Sequence, residues 1–207
     1  MTIEFLTNGP DAGPHTLILA HGAGAPMDNP FMEFMATTLG EAGIRVLRFE
    51  FPYMAARRTD GKRRAPDREA LLLATWRTAV GECGALAPFI GGKSMGGRMA
   101  SMVADELGVA GLVCLGYPFH PPGNPTKTRT AHLEHLRTQT LIVQGSNDTF
   151  GTRADIAEYR LSSSIDIQWV EGGNHDLVAK GTGKLSGWKT VADSVATFIS
   201  ERATPGT

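Results

Sequence analysis

An apolar run, a serine between glycines and a helix-forming segment follow one another in Ala87-Pro88-Phe89-Ile90-Gly91-Gly92-Lys93-Ser94-Met95-Gly96-Gly97-Arg98-Met99. Residues 92–96 match the pattern G-x-S-x-G, in which a serine occupies a sharp turn from a strand into a helix. Glycines two residues to either side leave room where a Cβ atom would collide with neighbouring backbone. The stretch therefore predicts a strand at Ala87–Gly91, an uninterrupted helix at Met95–Leu107, and an outward-facing nucleophile at Ser94.

Two alternatives compete for the same stretch. A glycine-rich turn without any chemistry is the simpler explanation, although the strand before it and the helix after it favour the catalytic one. The segment Gly92-Lys93-Ser94 is also similar to the end of a phosphate-binding P-loop. That motif needs a glycine five positions before Gly92, where this chain has Ala87, so the P-loop is excluded.

Composition limits the class of protein. The chain has 207 residues, of which 42% are apolar and 20% charged, and its net charge is −1. We expect one globular domain spanning residues 1–207, with no electrostatic attraction to nucleic acid or to a membrane. Two cysteines and the absence of a signal-type or membrane-spanning stretch favour a cytoplasmic protein. No pattern indicates an oligomeric state.

Short apolar runs alternate with helical patterns along the rest of the chain. This alternation predicts a mostly parallel sheet with helices on both faces. The predicted strands, besides Ala87–Gly91, are Thr16–Ala20, Ile44–Phe49, Leu112–Leu115, Thr140–Val143 and Ile165–Val170, with Thr2–Leu6 as an additional edge strand. The other predicted helices are Phe31–Leu39, Arg68–Val80, Thr152–Tyr159 and Trp188–Ile199.

Two stretches interrupt the alternation and are predicted to be loops. Tyr53–Arg68 is polar and carries six basic residues, five of them within Arg57–Arg64. It is either a solvated mobile loop or a lip that recognises a carboxylate or phosphate on a substrate. Tyr117–Thr130 is rich in proline and glycine, and we expect it to form part of the roof of a shallow site.

A serine nucleophile needs a base, and the base needs an acid to orient it. In enzymes with a G-x-S-x-G turn the acid and then the histidine follow the serine in the chain. Asp148 comes directly after a predicted strand, and His175 follows the last predicted strand and two glycines. We expect Asp148 to be the acid and His175 the base. Asp176 and Glu171 are weaker alternatives to Asp148, which could also simply stabilise its own turn.

Cleavage of an acyl bond also needs hydrogen-bond donors for the oxyanion. The N–H of Met95, directly after the nucleophile, is the first expected donor. The second should come from His21-Gly22-Ala23-Gly24, a loop that follows a predicted strand. Ala23 is the first choice, with Gly22 or Gly24 possible. A turn shaped only by geometry is the competing explanation.

The other histidines fit this chemistry less well. His132 and His135 are three residues apart, a spacing that could hold a metal on a helix face. No set of carboxylates or cysteines accompanies them, so a solvated helix face is the better interpretation. We therefore expect neither a metal nor a cofactor.

Four segments together resemble the α/β-hydrolase superfamily: His21–Gly24, the turn at Ser94, the turn at Asp148 and the loop at His175. Within it, the chain is similar to a small bacterial family related to dienelactone hydrolases and to the hydrolase-like domain of a nuclear histone-acetyltransferase complex subunit. The characteristic stretches are Phe51-Pro52-Tyr53-Met54, Gly91-Gly92-Lys93-Ser94-Met95-Gly96-Gly97-Arg98 and Leu115-Gly116-Tyr117-Pro118-Phe119-His120-Pro121-Pro122-Gly123. Dienelactone hydrolases use a cysteine where this chain has Ser94.

The resemblance implies an α/β-hydrolase fold without a separate cap domain. We expect a serine hydrolase, esterase-like or thioesterase-like, that cleaves a small-molecule acyl ester through a covalent acyl-enzyme. The alternative is a hydrolase fold that serves as an interaction module with little or no turnover. Residues expected to contact substrate are Gly22, Tyr53, Arg58, Tyr117 and His120.

Overall fold

The computed structural model describes residues 2–202. Its centre is a seven-stranded sheet in the order β1-β3-β2-β4-β5-β6-β7. Every neighbouring pair is parallel except β1 and β3. The strands are β1 Leu6–Asn8, β2 Thr16–Ala20, β3 Arg45–Phe49, β4 Phe89–Lys93, β5 Gly111–Leu115, β6 Thr140–Gly145 and β7 Ile165–Val170.

Helices cover both faces of the sheet, because successive strand residues point to opposite sides. Leu17 and Leu19 of β2 face one cluster of buried side chains, and Ile18 and Ala20 face the other. The helices are α1 Pro30–Glu41, α2 Pro52–Asp60, α3 Glu69–Glu82, α4 Met95–Ser101, α5 Ala104–Leu107, α6 Arg153–Ala157 and α7 Lys184–Arg202. Side chains of α1 and α7 pack on the first face, and those of α3 and α4 on the second. The predicted parallel sheet with two helical layers is confirmed.

The segment between β5 and β6 stays small, as expected for a fold without a separate cap. Residues 116–139 cross the carboxyl edge of the sheet as an irregular chain with a short 3₁₀ helix at Ala131–Glu134. Gly116 begins the crossing with a positive φ of 68°. Within the described part of the chain, a loop therefore covers this edge of the sheet.

The prediction of a loop throughout Tyr53–Arg68 was wrong, because α2 occupies the first half. Pro52 provides the first helical residue, a position that does not need an N–H. Tyr53 and Met54 are buried in the core, and Gly61 ends the helix with a φ of 70°. The basic residues give this segment a polar composition, which is typical of a loop. Its two buried side chains instead anchor it to the core as a helix.

Other predicted boundaries also change, most of them by a few residues at the ends of an element. The helix expected at Met95–Leu107 is interrupted, so that α4 ends at Ser101 and α5 begins at Ala104. The Ser101 hydroxyl donates to the Arg98 carbonyl, a local bond that competes with helix continuation. The edge strand lies at Leu6–Asn8 instead of Thr2–Leu6, where Asn8 Oδ1 accepts a hydrogen bond from Arg48 of β3.

Candidate active site

Ser94 occupies a strained backbone position between β4 and α4. Its φ of 52° and ψ of −114° lie in a region that residues other than glycine rarely adopt, at a cost of about 1–3 kcal/mol. The surrounding backbone maintains the strain, since Ser94 N–H donates to the Leu115 carbonyl at 2.9 Å. A Cβ on Gly96 would lie 2.5 Å from the Ala20 carbonyl oxygen. Glycine at that position allows the tight turn that presents the serine.

His175 lies between Ser94 and Asp148. Its Nε2 is 2.9 Å from Ser94 Oγ, and its Nδ1 is 2.8 Å from Asp148 Oδ2. Because a carboxylate only accepts, Nδ1 carries the proton and Nε2 is free to accept from the serine hydroxyl. The Phe150 ring lies against the imidazole, with 4.3 Å between ring centroids. The three residues predicted from distant segments thus meet in one hydrogen-bonded chain.

The Asp148 carboxylate is fully buried and held by three donors. Besides His175, the Phe150 N–H donates to Oδ1 at 2.9 Å and Gln144 Nε2 donates to Oδ2 at 3.0 Å. These bonds hold the carboxylate in place and point one oxygen at the imidazole. The two alternative acids do not bond to His175: Glu171 pairs with Arg153, and Asp176 is exposed.

The loop that carries His175 is anchored on two sides. The Gly173 carbonyl accepts from Asn147 N–H at 2.9 Å, which ties it to the loop of the acid. The Asp176 carbonyl accepts from Trp188 Nε1 of α7 at 3.1 Å. The imidazole is therefore positioned by contacts on both flanks.

Ala23 and Met95 line the same cleft as Ser94. Met95 is the first residue of α4, so its N–H has no acceptor within the helix. The Tyr53 hydroxyl supports the Ala23 segment by donating to the Ala23 carbonyl at 2.9 Å. These features would leave two backbone donors near the serine. Their assignment as an oxyanion hole stays a prediction.

His21 holds the start of that loop from beneath. Its Nδ1 donates to the Gly22 carbonyl at 2.7 Å, and its Nε2 accepts from the Phe51 N–H at 3.2 Å. Burial lowers the pKa of His21, which keeps the ring neutral and able to accept at Nε2. His21 was not singled out from the sequence as a supporting residue, although its motif was.

The cleft beside Ser94 has a volume of about 360 Å³, a size suited to a small molecule. Its apolar wall consists of proline, leucine, methionine and phenylalanine side chains, and its polar wall of two arginines and two carboxylates. The lining residues besides Ala23, Ser94 and Met95 are Pro66, Asp67, Glu69, Leu72, Arg98, Met99, Pro118, Arg129 and Phe150.

Four of the five predicted substrate contacts take other positions, and these assignments are corrected. Tyr53 is buried and supports the loop at Ala23. Tyr117 is fully buried, and His120 is buried with its ring near Asp155. Arg58 is bound by Glu50 and Asp28. None of the four lines the cleft.

Gly22, the fifth predicted contact, lies beside the nucleophile. A Cβ there would be 3.7 Å from Ser94 Cβ, an ordinary contact distance. Its role toward a substrate stays a prediction. The residues that do line the cleft were missed because they come from α3, α4 and the proline-rich loop, and no local motif connects them.

Lys93, the residue before the nucleophile, has a lowered pKa. Desolvation lowers its pKa to about 8, while the charges of Asp176 and Asp148 oppose the shift. Gly116 makes room for the ammonium, since a Cβ there would lie 3.2 Å from Lys93 Nζ. Lys93 does not line the cleft.

No group of three or more histidine, cysteine, aspartate or glutamate side chains suited to a metal occurs within residues 2–202. His132 instead bonds to Ser101 Oγ at 2.8 Å. Over the same part of the chain, no helix is both long and apolar enough to cross a membrane.

Comparison with known families assigns the class. Residues 13–200 match a family described as "Alpha/beta hydrolase domain", which is nearly the whole chain. The protein therefore belongs to the alpha/beta hydrolases, as the fold and the order Ser94, Asp148, His175 indicate.

Similar solved structures share the fold at low sequence identity. An alpha-beta serine hydrolase homologue from Coxiella burnetii is 21% identical, with a TM-score of 0.68 and coverage of 93% of this chain and 91% of that one. Dienelactone hydrolase from Anabaena variabilis is 21% identical, with a TM-score of 0.72 and coverages of 96% and 91%. The esterase domain of a Rhodothermus marinus protein is 13% identical, with a TM-score of 0.67 and coverages of 99% and 100%. At these identities the likeness extends to the fold alone.

Proposed function

We propose that the protein is a serine hydrolase, esterase-like or thioesterase-like, that cleaves a small-molecule acyl ester in the cytoplasm. One observation carries the proposal: His175 Nε2 lies 2.9 Å from Ser94 Oγ while its Nδ1 lies 2.8 Å from a buried carboxylate. A hydroxyl so paired can lose its proton as it attacks, which is what a serine nucleophile requires.

The acylation step follows from this arrangement. Ser94 Oγ bonds to the acyl carbon as its proton passes to His175 Nε2, and the carbonyl electron pair moves to the oxygen. The N–H groups of Met95 and Ala23 would stabilise that oxyanion. When the intermediate collapses, the bond to the leaving oxygen breaks and His175 returns the proton to it. The alcohol departs, and the acyl group remains on Ser94.

Water completes the cycle by the same route. His175 takes a proton from water as the water oxygen bonds to the acyl carbon, and the proton then returns to Ser94 Oγ as the acid leaves. One ester and one water give one acid and one alcohol. Asp148 stabilises the imidazolium in both halves without accepting its proton.

A non-catalytic interaction module is the second candidate, because folds are reused for unrelated roles. The backbone strain at Ser94 argues against it, since a structural domain gains nothing from such strain. The structural relatives named as an esterase domain and a dienelactone hydrolase support an ester or lactone bond as the target.

Hydrolysis of p-nitrophenyl acetate and butyrate tests the proposal. We expect Ser94→Ala and His175→Ala each to lower kcat by at least about 10³-fold. Matched controls are Ser163→Ala and His135→Ala, which replace exposed residues of the same types far from the cleft lining. These controls should retain wild-type rates. Rates unchanged in either triad variant would contradict the proposal.

A further inference from the structure

Arg129 lies in the cleft beside the nucleophile with no carboxylate to neutralise it. Its side chain makes no ion pair within residues 2–202, and its Nη1 reaches only the Pro118 carbonyl at 3.5 Å. Its backbone, in contrast, is fixed. Arg129 N–H donates to Phe119 at 2.7 Å, and the Tyr117 hydroxyl donates to the Arg129 carbonyl at 3.0 Å. A guanidinium without an ion pair among the described residues thus extends into the cleft from a fixed backbone position.

Arg98 brings a second guanidinium to the same cleft, from the last turn of α4. Its Nη2 donates to Glu69 at 2.8 Å, and Glu69 is about half exposed. Its Nε is buried and has no hydrogen-bond partner. Desolvation lowers the pKa of Arg129, and the nearby charge of Arg98 lowers it further. Two guanidinium groups therefore line the same cleft as Ser94, and an anionic ligand would stabilise Arg129, which has no ion pair among the described residues.

Neither carboxylate of the cleft lining forms an ion pair with Arg129. Glu69 is engaged by Arg98, and Asp67 Oδ2 accepts from the Tyr53 N–H at 2.9 Å. Asp67 forms no ion pair with either arginine. None of the basic residues within Arg57–Arg64, the other place where an anion could bind, lines the cleft, and two of them are paired elsewhere: Arg58 with Glu50 and Asp28, and Arg64 with Asp60. The anion-binding charge therefore lies at a different place from the one that the sequence suggested.

We propose that Arg129, assisted by Arg98, binds a free carboxylate on the substrate, so that the enzyme prefers short esters carrying a second, anionic group. This inference rests on the proposed function and names the substrate class for the same cleft. A guanidinium matches a carboxylate with two parallel hydrogen bonds, and such bonds are stronger than neutral ones. The apolar wall of the cleft would hold the carbon chain between the carboxylate and the scissile bond.

Paired substrates of equal shape and different charge test the preference. One pair is 4-acetoxybenzoate and 4-acetoxybenzamide, and the other is monoethyl glutarate and its carboxamide. We expect the wild type to favour at least one carboxylate by 10-fold or more in kcat/KM, mainly through KM. Arg129→Gln should reduce that ratio by about 10-fold, and Arg129→Lys should retain part of it. Equal ratios in the wild type and Arg129→Gln would overturn the inference.

The control variant is Lys127→Gln, which removes one positive charge from an exposed position of the same loop outside the cleft lining. This variant should leave the ratio of kcat/KM for the carboxylate to that for the carboxamide unchanged. A decrease in this ratio equal to that in Arg129→Gln would show a general effect of charge and would overturn the inference. A third substrate, 4-acetoxyphenyl phosphate, separates the two anion types. A stronger preference for phosphate than for carboxylate would overturn the carboxylate assignment.

A binding measurement separates failure of this inference from failure of the proposed function. Glutarate should raise the Tm of Ser94→Ala, a variant without the nucleophile, and should raise it less in Ser94→Ala/Arg129→Gln. Stabilisation without any turnover by the wild type would sink the proposed function and leave the anion site standing. Turnover by the wild type, without stabilisation by glutarate and without a charge preference, would overturn this inference and leave the proposed function standing.

Discussion

At the scale of single residues, Asp148 is the triad member whose side chain is held by the most hydrogen bonds. It is fully buried, and three donors converge on its two oxygens: His175 Nδ1, Gln144 Nε2 and the Phe150 N–H. A buried carboxylate without such partners would be costly, so the site depends on all three bonds. The same bonds leave only one imidazole tautomer compatible with Ser94.

Asp148→Asn tests this dependence. The N–H₂ group of an amide cannot accept a hydrogen bond from His175 or Gln144. The imidazole would then carry its proton on Nε2, the nitrogen that faces Ser94, and could not accept the serine proton. We expect kcat for p-nitrophenyl acetate to fall by about 10³–10⁴-fold, as for the analogous change in serine proteases. Asp193→Asn, an exposed replacement on α7, should leave kcat unchanged. A fall of less than 10-fold would show that Asp148 does not orient the base.

At the scale of elements, the approach of α4 to β2 determines how the serine is presented. A Cβ on Gly96 would lie 2.5 Å from the Ala20 carbonyl oxygen and 2.7 Å from that of His21. Both atoms belong to the backbone, which cannot move away without a large cost in free energy. The glycine therefore sets the distance between the helix and the strand, and through it the turn at Ser94.

Gly96→Ala should separate α4 from β2. We expect the free energy of unfolding to fall by about 1–3 kcal/mol, the usual cost of overpacking, with a loss of esterase activity. Gly24→Ala is the matched control, because a Cβ there meets nothing within 4 Å. Urea unfolding followed by circular dichroism measures both variants. Equal stability of Gly96→Ala and wild type would contradict the steric argument.

The strands were predictable because they are short apolar runs between turns, which tertiary packing buries on both faces of the sheet. Thr16–Ala20, for example, is buried at all five positions. Helix α2 was not predictable, because its polar composition hides the two side chains that anchor it, Tyr53 and Met54. At the end of α4 the Ser101 hydroxyl donates to the Arg98 carbonyl, a local bond that no periodicity reveals.

For the site, local turn chemistry located the serine, the acid and the base, because each follows a strand in a recognisable turn. The residues of the cleft were not predictable in the same way. Arg98 and Arg129 are 31 positions apart in the sequence, and they become neighbours only when the loop after β5 crosses the sheet edge. The basic residues grouped within Arg57–Arg64 lie outside the cleft lining, and folding pairs two of them, Arg58 and Arg64, with carboxylates.

For the whole molecule, the strand order brings separate segments to one edge. Parallel strands end on the same side, so the loops after β2, β4, β6 and β7 lie together at their carboxyl ends. Ala23, Ser94, Asp148 and His175 come from these four loops. The proposed reaction depends on all four being present at once, which only the complete sheet provides.

The most direct test of this account is to locate the adduct of a fluorophosphonate probe by tandem mass spectrometry in the intact protein. We expect one adduct per chain, on Ser94, absent from Ser94→Ala and formed much more slowly in His175→Ala. Absence of any adduct in the wild type, or an adduct on a different residue, would contradict the claim that Ser94 is an activated nucleophile.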